Sequence, residues 1–395
     1  MHGEYNPTVP TRVVFGDGKY DSLKDEIQKL GGKRALVLSG RTVAETTDSV
    51  QRLNGALGEM SVGTYSGLTQ RAPLAPAVAA ANIAVARGVD TLLGVGGSTI
   101  SDASRMIAVL MSEGITTVEQ LRHLGEEQDM MLSPDLDGKD LPLQVSIPTT
   151  LSAGEFNMGG GNVLDNHAGQ KIRVRHTRLY ADLIVLDPVI TEGTPDWLWL
   201  STGIKALDHC IERLYTTGNQ PAIDAPILAA AEMIFTYLPK SRQTDKDPEA
   251  RLKCLMAAWM SMMGAPNFAT GLSHAIGHIL GVKYSVGHGY TSCVTQPYVM
   301  EFNRPVSASK QSLLARSAGL DTSNMSNEAA AEAAARAVDD FVLGLGMPHR
   351  IRELEIPETD LPEIARLVLT DGGCRDNPIP ITSTDQVMEV LKKAF

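Results

Sequence analysis

The feature that most constrains this chain is a change of rhythm near Pro188. Before it, short β-rich runs alternate with helical stretches. RVVFG (12–16), ALVLSG (35–40), TLLGVGG (91–97), LQVSIPTT (143–150) and DLIVLDP (182–188) read as strands. KYDSLKDEIQKLGG (19–32), APAVAAANIAVARGVD (75–90) and SDASRMIAVLMSEG (101–114) read as helices between them. Apolar runs of strand length, separated by helical patterns, predict a parallel, doubly wound, Rossmann-like sheet. The polar segment EEQDMMLSPDLDGKD (126–140) reads as a surface loop. After Pro188 strand signals almost vanish and long amphipathic patterns take over, which predicts an all-α region. Two domains follow, an α/β domain over 1–190 and an α-helical domain over 191–395, with the cleft between them the default ligand site.

Composition narrows the function. A formal net charge of −11 over 395 residues disfavours nonspecific binding to nucleic acid or to an anionic membrane. The four cysteines (Cys210, Cys254, Cys293, Cys374) are scattered with no CxxC pair, which suits reduced thiols in a cytoplasmic protein. The N-terminal stretch lacks the apolar core of a signal peptide, and no uncharged apolar run reaches membrane-spanning length.

Two groups of residues carry chemistry in the helical half. Lys205 and His209 are four apart in GIKALDHCIE, and His274 and His278 are four apart in GLSHAIGHILGVKYSVGHG. Each pair shares a helix face. His288 follows ten residues after His278, where a loop would return it to the same pocket. Converging imidazoles suit a metal site or acid–base work, while a lone histidine is first read as a core or capping imidazole. Lys205, the fourth corner, is a cation rather than a carboxylate, and a surface lysine is its simplest alternative.

In the α/β half, GVGGSTISDASR (94–105) lies where a strand ends and a helix begins. Gly96 and Gly97 would let the backbone approach a pyrophosphate, Ser98 and the next amides would face it at a helix N-terminus, and Asp102 would bond within the turn or reach cofactor. The spacing is not GxGxxG, so a tight turn without ligand remains an alternative. Thr149, Thr150 and Ser152 in IPTTLSAGE (147–155) serve equally as nucleotide contacts or as caps.

Taken in order, GGSxxxDxxR, IPTT with its Gly–Glu turn, IVLDP, xxALxHxxE, GLSHAIGHxLG and HG resemble the iron-containing (group III) alcohol dehydrogenase superfamily along nearly the whole chain. The resemblance implies the dehydroquinate synthase-like fold, an N-terminal domain that binds NAD(P)(H), a C-terminal helical catalytic domain, a divalent metal in most members, and a homodimer. Within the superfamily the chain is similar to the maleylacetate reductase branch. That likeness rests on NPTVPTRVVFGDG (6–18) and on the one-residue-shorter turn after IPTT. It implies reduction of the double bond of maleylacetate to give 3-oxoadipate, in the degradation of aromatic compounds.

Carried over by position, His209, His274 and His288 match the histidine ligands of metal-containing members, and His278 matches the histidine near the nicotinamide. Lys205 stands where those members place an Asp ligand. Asp208, turned by about 100° on the helix from His209, reads as a poor replacement. A protonated Lys205 would repel a dication, so iron or zinc is not expected. Lys205 is expected to supply the positive charge instead, with His209, His274 or His288 donating the proton and His278 placing substrate and nicotinamide. In NAD-preferring relatives an Asp closes the second strand, whereas here Gly40 does, followed by Arg41. That pair suits NADPH, alongside NADH. Lys171, Arg173 and Arg175 alternate in QKIRVRHTR (170–178) as one face of a strand. Lys171 is the cofactor candidate, and a solvated edge strand is the alternative. DGGCRDNPIP (371–380) is expected at the rim of the pocket. The expected partner is a small carbonyl compound or unsaturated acid. Three alternatives remain: an alcohol dehydrogenase or ketone reductase on another carbonyl, a lyase-like (dehydratase) or redox-inactive descendant, and a cofactor-binding protein without turnover.

Overall fold

A computed structural model of the protein describes residues 11–157, 159–219, 221–242, 247–264 and 270–395. Residues 6–10, which open the branch-like N-terminal motif, lie outside them. The chain divides into two compact units, one ending at Thr194 and the other beginning at Pro195.

Among its described residues the first unit holds nine strands: β1 (Arg12–Phe15), β2 (Ala35–Gly40), β3 (Ser61–Leu68), β4 (Thr91–Gly96), β5 (Met131–Leu132), β6 (Leu143–Pro148), β7 (Gly160–Asp165), β8 (Gln170–Arg175) and β9 (Leu183–Leu186). Six of them make the sheet β1-β9-β6-β4-β2-β3, every pairing parallel. Its central strands are buried along nearly their whole length because both faces are covered. Along β2, Leu36 and Leu38 join one buried cluster while Ala35 and Val37 join another. The same alternation sends Leu92 of β4 one way and Leu93 and Val95 the other, as the two-residue period of a strand requires. Each fully buried leucine contributes roughly 2 kcal/mol, so the two clusters hold the sheet from both sides.

Three strands were not anticipated. β3 is half-buried along most of its length and reads SVGTYSGL, with no apolar alternation to announce it. The segment 126–140, expected as a loop, contains the short strand β5, and Leu132 and Leu136 are fully buried under it. β5, β8 and β7 form a second, three-stranded sheet. β8 is its central strand and not an edge. Ile172 and Val174 point into the core while Arg173 and Arg175 face solvent and Lys171 is half-buried. The glycine-turn helix runs Ser98–Glu113, three residues earlier than its apolar pattern indicated.

The second unit has helices and no strand among the described residues. Its central helix, Asp196–Tyr215, is buried at every position from Trp199 to Tyr215. The helices Leu272–Tyr284 and His288–Ser317 contribute Leu272, Ala275, Ile276, Leu280, Val294 and Val299 to a shared apolar cluster. No described helix is long and apolar enough to cross a membrane.

Candidate active site

A helix buried on every side must find partners for each polar group it carries. Asp196–Tyr215 carries Lys205, Asp208, His209, Glu212 and Arg213 inside its buried stretch. Lys205, at 7% exposure, is not a surface lysine. Its Nζ lies 3.4 Å from Asp208 Oδ2, the i,i+3 neighbour on the same helix. Asp208 Oδ2 also accepts hydrogen bonds from Ser273 Oγ (3.2 Å) and Ser292 Oγ (2.5 Å). Asp208 is thus turned away from His209, as the helix phase dictates, but it belongs to the site as the counter-ion of Lys205.

Glu212 closes the N-terminus of Leu272–Tyr284. Its carboxylate accepts from Gly271 N (2.6 Å) and Ser273 N (2.8 Å), where helix amides favour an anion. Gly271 eases this approach, since a Cβ there would sit 3.0 Å from Glu212 Oε1 and crowd it. His274 Nδ1 lies 2.6 Å from Glu212 Oε2. With two amides already donating to this carboxylate, Nδ1 is the donor, and the His274 Nε2 lone pair points the other way. Burial pushes the Glu212 carboxyl up, while the Gly271 amide and Lys205 pull it down.

The electrostatics divide the histidines. Burial holds His209 and His274 well below the usual imidazole range, reinforced by Arg213 at His209 and by Lys205 at His274. Both are neutral near pH 7. His209 Nδ1, His274 Nε2 and Asp208 Oδ1 are buried with no hydrogen-bond partner. Burial also lowers the Lys205 ammonium, and Asp208 and Glu212 oppose that shift. The rings run in sequence: His209 to His274 at 5.2 Å, His274 to His278 at 6.3 Å and His278 to His288 at 5.6 Å between centroids. All five lysine and histidine candidates therefore gather. His288, expected on a loop, is instead the first residue of its helix after Gly287. The DGG segment supplies Asp371, whose Oδ2 is 2.9 Å from His278 Nδ1.

The nucleotide candidates gather in the other unit. Gly96 has φ 151°, a conformation that favours glycine, and a Cβ there would meet Ile100 at 2.5 Å. At Gly97 a Cβ would come within 3.0 Å of Thr150 Oγ1. No side chain caps the helix that begins at Ser98, so its first amides suit a phosphate. Thr149 N donates to Gly96 O (3.0 Å), and the Thr150 and Ser152 hydroxyls share a hydrogen bond (3.0 Å). Asp102 accepts from Asn162 Nδ2 (2.6 Å). Burial pushes its carboxyl up to about 6, against the pull of Arg105 and Lys171. Arg105, fully buried, donates to the carbonyls of Leu179, Gly154, Gly160 and Glu155. Gly40 ends β2 directly before a short helix, Arg41–Thr46. Arg41 is exposed and sits 3.8 Å from Glu45.

A glycine turn shaped for phosphate and a set of imidazoles arranged for proton transfer are the equipment of an oxidoreductase. Comparison with known proteins narrows the class. Residues 10–188 match the iron-containing alcohol dehydrogenase profile, and residues 199–395 match the Fe-containing alcohol dehydrogenase family, C-terminal. The chain belongs to the iron-containing alcohol dehydrogenase family. It is 28% identical to Dehydrogenase ALT3 of Alternaria alternata over 390 residues, 92% of this chain and 99% of that one. It is 25% identical to Maleylacetate reductase 1 of Cupriavidus pinatubonensis, over 97% of this chain and 95% of the relative. The crystal structure of a 1,3-propanediol oxidoreductase superposes with a TM-score of 0.89 over 100% of both chains at 23% identity, a likeness of fold.

Proposed function

We propose that this protein is an NAD(P)H-dependent reductase that works without a divalent metal, with the Lys205 ammonium providing the positive charge at the substrate oxygen. The observation that carries the reading is the burial of Lys205 beside Asp208 and the two neutral imidazoles. A dication fits this donor set poorly. His209 and His274 offer free nitrogens and Asp208 a free Oδ1, but both Glu212 oxygens are engaged, and Asp208 Oδ2 already has a cation and two hydroxyls. A second cation beside Lys205 would meet its repulsion. Asp208, Glu212 and His274 do bring three ligand-type atoms within 4.8 Å of one another. The hydrogen bond of His274 Nδ1 to Glu212 and the pairing of Asp208 with Lys205 and two hydroxyls account for that closeness, so no step is assigned to a metal.

The nicotinamide cofactor supplies the hydride. In this reading Gly96, Gly97, Ser98, Thr149, Thr150 and Ser152 hold its phosphates, with Asp102 and Lys171 beside them. Gly40 removes the carboxylate that would repel a 2′-phosphate, and Arg41 is free to leave its long contact with Glu45 and pair with one. On the substrate, Lys205 stabilises negative charge as it develops on the carbonyl oxygen. His209 and His274, held neutral, are poor stores of the proton that must follow. That task passes to His278 or His288.

Maleylacetate is the first substrate to test. The whole-length relative of that activity and the short IPTT turn support it. The other relative, named only as a dehydrogenase, keeps a different aldehyde or ketone as the second reading. Chelator-stripped protein should oxidise NADPH or NADH in the presence of maleylacetate and contain less than about 0.1 metal per chain on elemental analysis. Turnover that appears only after iron or zinc is restored refutes the metal-free reading. Turnover on other carbonyls but not on maleylacetate refutes the substrate alone.

A further inference from the structure

Resting on the reductase reading, we infer that Asp371 is a positioning residue, fixing the ring and tautomer of His278 so that His278 Nε2 is the atom that meets the substrate oxygen. Asp371 Oδ2 lies 2.9 Å from His278 Nδ1, across 93 residues of sequence. Its other oxygen accepts from Gly373 N at 2.9 Å. The carboxylate therefore has one oxygen committed to the backbone and one to the ring. An ionised carboxylate only accepts, so His278 Nδ1 donates and Nε2 keeps its lone pair. Burial raises the Asp371 carboxyl, but the bond and charge of His278, the Gly373 amide and His274 together outweigh it and leave the group below its ordinary range.

The mounting of this pair separates it from a chance surface contact. Asp371 follows the helix Leu361–Val368 through a turn closed by Asp371 N to Val368 O (2.9 Å). That turn presses on the start of the helix that carries His278. A Cβ at Gly373 would lie 2.6 Å from Gly271 O, and Leu272 N donates to Asn377 Oδ1 (3.3 Å). Carboxylate and imidazole thus ride on two segments locked together at the Gly271 end. His278, like the exposed His288, also has an open side, its side chain 45% exposed against 5% for His274. To give a proton to the substrate oxygen the ring must first take one from water on Nε2, and this open side lets it do so while Nδ1 stays bound to Asp371. His274, with the same kind of carboxylate partner, faces a closed interior.

The test combines a measurement that needs no turnover with one that does. In protein labelled with 15N-histidine, at about pH 8.5 where an ordinary imidazole is neutral, His278 should show a protonated Nδ1 and an unprotonated Nε2. His278→Gln assigns the resonance, and Asp371→Ala should abolish the preference. In the reductase assay Asp371→Ala should lose about 10- to 100-fold in kcat, with the KM for NADPH held within about twofold. Asp371→Glu should recover part of the loss. A parent ring protonated on Nε2 overturns the inference. So does a folded Asp371→Ala variant with kcat within about twofold of the parent. If the parent protein reduces no substrate, the reductase reading has failed and the ring measurement still decides the role of Asp371.

Discussion

Removing the charge of Lys205 tests the central claim. The variant is Lys205→Met, which keeps the length and apolar stem and deletes the ammonium. Its effect follows from burial. At about 4 Å, a unit charge acting on a developing oxyanion is worth about 1 kcal/mol in water and about 4 kcal/mol at the effective dielectric of a protein site. Lys205 is 7% exposed, so the second figure applies. A loss of about 3–4 kcal/mol is a fall of about 10²–10³ in kcat. Folding should suffer less. Asp208 loses its cation but keeps the Ser273 and Ser292 hydroxyls, so the cost should be near 1–3 kcal/mol. Lys205→Met/Asp208→Asn should recover part of that stability and none of the rate. The assay is NAD(P)H oxidation by chelator-treated protein, with thermal unfolding in parallel. A folded Lys205→Met protein that keeps kcat within about threefold refutes the argument, because no charge of that size was acting.

Three further outcomes follow from the geometry. Lys205→Asp should create a chelator-sensitive site that retains about one zinc or iron per chain through dialysis, since the repulsion goes and a carboxylate joins the free nitrogens of His209 and His274; a metal-free variant contradicts this. Arg41→Ala should raise the KM for NADPH about tenfold and leave that for NADH unchanged, and equal effects on both cofactors would remove Arg41 from the 2′-phosphate role. Glu155 titrates near 7, pushed up by burial against its own backbone amide and Arg105. The unfolded chain releases that proton near pH 4.5, so the folded state loses stability as pH rises from about 4.5 through about 7. Glu155→Gln should therefore gain stability over the parent progressively between pH 5 and 8, measured by chemical unfolding, and a constant difference would show that the carboxyl does not titrate there.

How much of this was legible varies with the range of the interaction. The central strands could be read because a run such as ALVLSG buries both faces and is apolar from Ala35 to Leu38. β3 and the β7–β8 pair were harder, since half-buried glycine, serine and threonine carry no period. At the site, the local pairs Lys205–His209 and His274–His278 were visible as helical spacings. Their carboxylate partners were not. Glu212 reaches His274 across 62 residues and Asp371 reaches His278 across 93. One signal did exist for the acids: Asp208 and Glu212 interrupt a helix that is apolar in most other directions, and a charge in such a helix must be paired. The angle between Asp208 and His209 hides the role of Asp208, because its relevant neighbour is Lys205 one turn away.

Arg105 gives the nucleotide turn an all-or-nothing character. One guanidinium gathers carbonyls from Leu179, from Gly154 and Glu155, and from Gly160. Three stretches of chain, at 154–155, 160 and 179, thus share a single fastening. Loosening it by heat or denaturant sets all three free together. Cofactor affinity should then disappear in one step as temperature rises, ahead of the sheet itself, instead of fading loop by loop.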